Sequence, residues 1–105
     1  KELTDKVAAL EHNLKWERSL YQYNIGVVYA QAQRYDEAID AYKKALELNP
    51  KSADAHYNLG LLYERVKAQP NQAAWHYRRY LELNPQAEDR EEVQQWIDML
   101  TAAVR

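Results

Sequence analysis

Apolar residues recur at steps of three and four positions along most of the chain, the spacing that places side chains on one face of a helix. The pattern predicts helices at about 19–32, 36–48, 53–66 and 71–83. Pro50 and Pro85 follow the second and fourth of these, and proline cannot continue a helix. Ser52 and Asn71 precede the third and fourth, where such side chains cap free backbone N–H groups. We therefore expect two helical hairpins, each closed by a proline.

A further helix is predicted within 88–105, where the pattern of the preceding residues is not repeated. Its apolar stripe consists of Val93, Trp96, Ile97, Leu100 and Val104. Acidic residues crowd positions 88–92, and we expect them in the first turns, where the helix dipole favours negative charge. One apolar and one polar face are what a terminal capping helix needs.

The first 18 residues form a leader with an apolar stripe of its own. The stripe consists of Leu3, Val7, Leu10 and Leu14, at steps of 4, 3 and 4. This is the a/d spacing of a coiled coil, over about two heptads, fewer than the three or four that identify one. The segment 3–30 contains no proline and a single glycine, Gly26, so we expect the leader to run unbroken into the helix predicted at 19–32.

Two interpretations of the leader stripe stand side by side. In the first, the stripe is an oligomer seam, and Lys6 and Glu11 at the flanking positions pair across a parallel dimer. In the second, the stripe packs on the adjoining hairpin as an N-terminal cap.

The chain also repeats itself. The segment YNIGVVY at 23–29 returns as YNLGLLY at 57–63, and ALELNP at 45–50 returns as YLELNP at 80–85. Gly26 to Gly60 is 34 positions, and Pro50 to Pro85 is 35. A period near 34 with this internal pattern is typical of stacked helical hairpins.

These residues resemble the tetratricopeptide repeat family, whose pattern runs Trp, Leu-Gly, Tyr, Ala, Phe and Pro at fixed spacings. The first repeat matches at Ile25, Gly26, Tyr29, Ala38, Tyr42 and Pro50, and the second at Leu59, Gly60, Tyr63, Ala73, Tyr77 and Pro85. The resemblance covers about residues 19–86. It implies an all-α fold, a right-handed stack of antiparallel helical hairpins with a long N-terminal helix.

The resemblance divides the chain into a leader (1–18), two repeats (19–52 and 53–87) and a capping helix (88–105). Gln22 and His56 stand where the family has Trp. Tyr80 replaces a small residue matched by Ala45, so we expect the second repeat to pack differently on the segment after it. One residue is inserted near Gln69, in a turn, where length changes are best tolerated.

The resemblance also implies a binding surface. In the family, one face of the first helix of each repeat lines a concave groove that receives peptide segments. In this chain we expect Ile25, Gly26 and Tyr29 to lie on the other face, against the second helix of their repeat. Carried over, the groove floor is Tyr23, Val27, Tyr57 and Leu61, with Asn24 and Asn58 above it and Glu64 and Arg65 at its edge. An asparagine amide both donates and accepts hydrogen bonds, which suits a ligand backbone.

We therefore expect a non-enzymatic interaction module that binds a peptide or helical segment of a partner protein, as a scaffold or adaptor. The alternative is a structural self-association module that uses the leader and the groove surface. The chain begins at Lys1 without methionine, and we expect it to be a segment of a longer protein.

The composition and charge of the chain limit the classes of partner that we expect. The net charge is −2, whereas nucleic-acid binding leaves a basic footprint, so we expect no nucleic acid. We also expect no membrane insertion, because no apolar run approaches the roughly 20 residues of a membrane span. The absence of cysteine removes disulfides and thiolate metal sites. It fits the cytosol, taken as the default, and also fits the periplasm.

Catalytic chemistry has little support. His12, His56 and His76 are far apart in sequence and form no ligand pair at helical spacing, and His56 stands at a packing position. The chain has no glycine-rich phosphate loop, zinc spacing or nucleophile motif. We expect no catalytic residues, metal or cofactor.

Overall fold

The computed structural model describes residues 1–102 and folds them into five α-helices. They are α1 (Glu2–Gln31), α2 (Tyr35–Leu48), α3 (Ala53–Arg65), α4 (Pro70–Leu83) and α5 (Arg90–Ala102). These residues contain no β-strand, so the predicted all-α class is confirmed. Within the same residues, no helix has both the length and the apolar character needed to cross a membrane.

The chain divides into two compact units, Lys1–Pro50 and the part from Lys51 onward. In the first unit α1 packs against α2, and in the second α3 packs against α4 and α4 against α5. Each unit thus contains one helical hairpin, as the repeat predicts. The right-handed stacking that the resemblance implies stays a prediction.

In the first unit α1 is continuous over 30 residues, as the lack of a helix breaker predicts. It is about 45 Å long at 1.5 Å per residue, whereas the 14 residues of α2 cover only about 21 Å. Residues 1–18 are therefore exposed, and burial begins at Ser19, whose Oγ donates to the Ala45 carbonyl oxygen at 2.9 Å. The leader stripe is exposed as well, so its interpretation as a cap on the first hairpin is wrong.

The core of the first unit comes from one face of α2, formed by Ala38, Ile39, Ala41, Tyr42 and Ala45. Tyr42 lies over Gly26 of α1. A Cβ atom added to Gly26 would stand 2.6 Å from Tyr42 Cε1, so a larger residue collides there. The turn between the helices places Gln33 at φ 61°, and the Arg34 N–H donates to the Tyr29 carbonyl oxygen at 2.9 Å.

The second unit repeats this arrangement. Tyr77 on α4 is fully buried and lies over Gly60 of α3, where an added Cβ would stand 2.6 Å from the ring. The core is formed by Ala55, His56, Leu59, Leu62 and Tyr63 of α3 and by Ala73, Ala74, Tyr77 and Leu81 of α4. The glycine and the tyrosine of the repeat pattern are therefore two halves of one contact between helices.

The two predicted helix caps differ in outcome. Ser52 caps α3 as expected, because its Oγ accepts a hydrogen bond from the Ala55 N–H at 3.4 Å. The prediction of Asn71 as the cap of α4 is wrong, because α4 begins at Pro70 and Gln69 precedes it. Proline is favoured at the first helical position, where its missing N–H would have no partner within the helix.

Helix α5 closes the second unit. Val93 and Ile97 of its predicted stripe are buried, and Trp96 and Leu100 are half-buried. Val104 lies outside the described residues. Glu91 and Glu92 lie in the first turn as expected. The other two acidic residues, at 88 and 89, precede the helix, contrary to expectation.

Candidate protein-binding faces of the two repeats

The predicted binding face of the first unit is Tyr23, Asn24 and Val27 on α1. Tyr23 is half-buried, and its ring centroid lies 5.6 Å from that of Tyr42, which fills the space over Gly26. Val27 is half-buried and Asn24 is exposed. The tyrosine is therefore held in place from below, while the neighbouring amide is available to a ligand.

A shallow apolar depression of about 410 Å³ adjoins this face. It is lined by Tyr21, Asn24, Ile25, Val28 and Tyr29. Sequence reasoning placed Ile25, Gly26 and Tyr29 together against α2. Gly26 is buried there, but Ile25 and Tyr29 are only half-buried and border the depression. The accessible apolar surface of α1 is thus wider than predicted.

The face of the second unit is Tyr57, Asn58 and Leu61 on α3, all half-buried. The Tyr57 ring centroid lies 4.9 Å from that of Tyr80 and 6.3 Å from that of Trp96 on α5. The rings of Tyr57, Tyr77, Tyr80 and Trp96 form an aromatic cluster, in which the ring centroids of Tyr77 and Trp96 lie 5.4 Å apart. Burial and, after it, the negative charge of Asp89 raise the pKa of Tyr57. Tyr57 is therefore held in position on the binding face by the rings around it.

Sequence reasoning missed this aromatic cluster. The signal was Tyr80, which replaces the small residue that the first repeat has at Ala45. The Tyr80 hydroxyl donates to Asp89 Oδ1 at 2.8 Å, which ties α4 to the segment before α5. Burial and this hydrogen bond raise the pKa of Tyr80 to about 12. The expectation that the second repeat packs differently on the segment after it agrees with these contacts.

The two predicted edge residues of the second face have partners inside the unit. The Tyr77 hydroxyl donates to Glu64 Oε1 at 2.7 Å, and burial followed by this hydrogen bond raises the pKa of Tyr77. The Arg65 guanidinium carbon lies 6.0 Å from the centre of the Trp96 ring, at the outer limit of a cation–π contact. Arg65 is exposed, so its charge is available at the edge of the face.

A pair of histidines lies elsewhere in the second unit. The α3–α4 hairpin brings His56 Nδ1 to 3.0 Å from His76 Nδ1, although the two are 20 positions apart. The sequence excluded a ligand pair at helical spacing, which still holds, but it did not predict this contact between two helices. The Tyr63 ring stacks on His76 with centroids 5.5 Å apart. Over residues 1–102, no group of three or more potential metal ligands of the His, Cys, Asp or Glu type occurs.

Comparison with known proteins agrees with the repeat pattern. Residues 26–67 match the sequence profile of a TPR repeat, the tetratricopeptide repeat. The photosystem I assembly protein Ycf3 of Acaryochloris marina is 35% identical over 66 residues, which are 63% of this chain and 39% of that protein. Ycf3 of Prochlorococcus marinus is 43% identical over 42 residues, 40% of this chain and 24% of the relative.

A third relative is of a different kind. The protein O-mannosyl-transferase Tmtc2 of Drosophila melanogaster is 32% identical over 73 residues, 70% of this chain but 8% of that protein. The matched segments thus cover well under half the length of each of these relatives. Residues 26–67 of this chain thus carry a repeat of the tetratricopeptide type, and such repeats mediate contacts between proteins.

Proposed function

We propose that this chain is a non-enzymatic module that binds extended or helical segments of partner proteins, with one Tyr–Asn face in each of its two units. The observation that carries the proposal is the recurrence of one arrangement. In each unit a tyrosine packs on the repeat's buried tyrosine of the next helix, with ring centroids 5.6 Å apart for Tyr23 and Tyr42 and 6.2 Å apart for Tyr57 and Tyr77. An asparagine comes directly after each tyrosine in the sequence.

Such a face is suited to a peptide for physical reasons. Rings that are already packed lose little conformational freedom when a ligand arrives, so less of the contact energy is spent on ordering the site. The amides of Asn24 and Asn58 can each donate to and accept from a peptide backbone, whatever its side chains are. The exposed Arg65 at the edge of the second face favours a segment that carries an acidic group.

The relatives support a contact role. Ycf3 is named for the assembly of photosystem I, and its match to this chain extends over 66 residues. We therefore propose that these repeats hold a partner protein, and we assign to this chain no activity of the whole relatives.

The proposal is tested with a peptide ligand selected from a random display library on the immobilised chain. Asn24→Ala should weaken a peptide that occupies the first face about fivefold, and Asn58→Ala one that occupies the second, the loss of roughly 1 kcal/mol for one hydrogen bond. The matched controls are Asn13→Ala in the first unit and Asn71→Ala in the second, both exposed and outside the faces. Circular dichroism checks that all four variants stay folded. Unchanged affinity in both face variants would move the site elsewhere.

A second candidate function is self-association, favoured by the leader stripe. Leu3 and Leu10 are 74% and 67% exposed, which is unusual for large aliphatic side chains at seam spacing. We propose that this stripe contacts another copy of the chain. Molar mass measured against concentration distinguishes the candidates, because peptide binding alone leaves the free chain monomeric.

A further inference from the structure

The exposed stripe of α1 continues beyond the leader. Continuing the heptad steps from Leu14 leads to Glu17, Tyr21, Asn24 and Val28. Tyr21 is 65% and Val28 is 63% exposed, and the polar Glu17 and Asn24 are exposed too. Six of the eight seam positions from 3 to 28 are therefore apolar. Over nearly four heptads, such a pattern indicates a coiled coil, whereas two heptads do not.

The extended stripe faces away from α2. At about 100° per residue, Tyr21 lies about 140° and Val28 about 160° around the helix from Gly26. Gly26 is buried against Tyr42 of α2. A second helix can therefore lie along α1 without displacing its own hairpin partner. The depression lined by Tyr21, Asn24 and Val28 is part of this stripe.

We propose that a second copy of this chain covers the stripe, in a parallel two-stranded coiled coil from Leu3 to Val28. The charges flanking the seam are self-complementary. Lys6 occupies a g position and Glu11 the e position five residues later, so a parallel dimer pairs each lysine with the other copy's glutamate. An antiparallel dimer brings g against g and loses both pairs. An unrelated partner would have no need of this internal match.

The residues of the seam also favour two strands. Val7 occupies an a position between leucines at the d positions 3 and 10, the distribution that favours dimers over larger coiled coils. Glu17 and Asn24 are polar and lower the stability of the dimer. We therefore expect an association that depends on concentration.

The dimer has a consequence for ligand binding, and this step rests on the proposed function. Asn24 lies both in the extended seam and on the Tyr–Asn face of the first unit. A second copy on the seam covers that amide. The first unit therefore binds a partner segment only when α1 is free, so ligand and second copy compete. The face of the second unit contains no seam residue.

Molar mass is measured by sedimentation equilibrium over a range of concentrations, without any ligand. The wild type should approach twice its 12.4 kDa as concentration rises. Leu10→Asp in the leader and Val28→Asp in the first repeat should both remain monomeric. The two side chains are exposed in the single chain, so circular dichroism should show unchanged folding. Trp16→Asp is the matched control, because Trp16 is 49% exposed on the same helix but off the seam, and it should stay dimeric.

Three results would overturn the proposal. A wild type that stays monomeric at every concentration excludes the dimer. A dimeric Val28→Asp beside a monomeric Leu10→Asp confines the seam to the leader. Loss of the dimer in Trp16→Asp places the contact on another side of α1. These results leave the ligand proposal intact, since no ligand is present.

Orientation and competition have separate readouts. The chain has no cysteine, so Leu3→Cys introduces a single thiol at one end of the seam. Oxidation should link two copies if the helices are parallel, and an unlinked dimer contradicts that orientation. A display-selected peptide whose binding needs Asn24 should convert the wild-type dimer to monomer. A peptide that needs Asn24 yet binds the intact dimer would refute the competition.

Discussion

At the scale of single residues, Gly26 and Gly60 explain why the repeat keeps its glycine. Each lies under a buried tyrosine of the next helix, and a Cβ added to either stands 2.6 Å from that ring. Glycine in a helix costs up to about 1 kcal/mol relative to alanine. The residue is therefore retained for packing, against its helix propensity.

Gly60→Ala should destabilise the second unit by about 1–2 kcal/mol. Overpacking costs about 1–3 kcal/mol, and a Cβ 2.6 Å from the ring favours the upper part of that range, which exceeds the gain in helix propensity of up to about 1 kcal/mol. Tyr77 is fully buried, and its hydroxyl donates to Glu64 Oε1, which holds the ring over Gly60. Urea denaturation followed by circular dichroism measures the loss, with the exposed Gln72→Ala as a control that should change stability by less than about 0.5 kcal/mol. A variant as stable as the wild type would mean that the ring shifts freely.

The histidine pair supports a second prediction at this scale. His76→Ala removes the imidazole whose Nδ1 lies 3.0 Å from that of the buried His56, and with it the ring stacked on Tyr63. We expect a loss of about 1–3 kcal/mol in the free energy of unfolding, as for other buried hydrogen-bonding partners. His12→Ala, on the exposed leader, should be neutral. Equal effects of the two changes would show that the contact contributes nothing.

At the scale of helices, the sequence predicted the helix ends, because these are set by residues that lie at or next to them. The predicted bounds of α2, α3 and α4 lie within one residue of the observed ones, because prolines and a serine cap mark their ends. The contacts between helices were not predictable in the same way. The His56–His76 pair and the aromatic cluster depend on which side chains of separate helices meet. Only Tyr80, as a departure from the repeat, signalled such a contact in advance.

Tyr80 joins α4 to the segment before α5, and the junction should weaken in alkali. Its pKa is raised to about 12 in the folded chain, against about 10 for an ordinary tyrosine. The contribution of Tyr80 to the free energy of unfolding is therefore complete below pH 10. It is lost as the pH rises towards 12, because the Tyr80 hydroxyl releases its proton at lower pH in the unfolded chain than in the folded one. Urea denaturation at several pH values should show that the free energy of unfolding falls less for Tyr80→Phe than for the wild type as the pH rises from 10 towards 12. An identical decline in both proteins would contradict this role of Tyr80.

At the scale of the whole chain, one helix takes part in two proposed contacts. α1 contributes Tyr23, Asn24 and Val27 to a ligand face, and its exposed side carries a seam that shares Asn24 with that face. The leader stripe was visible in the sequence as two heptads. Its continuation to Val28 was not recognised, because those positions also belong to a repeat whose faces are assigned by resemblance. Their exposure separates the seam from the core.

The proposed dimer should make thermal stability depend on protein concentration. Association stabilises the folded state by mass action. The free energy of unfolding rises by about 0.7 kcal/mol per chain for each tenfold rise in concentration above the dissociation constant. For a domain of this size, that corresponds to about 3–5 °C in Tm. Circular dichroism melts of the wild type and of Trp16→Asp should show this rise, whereas Val28→Asp should melt at one temperature throughout. A wild-type Tm that ignores concentration would mean that α1 folds and functions without a second copy.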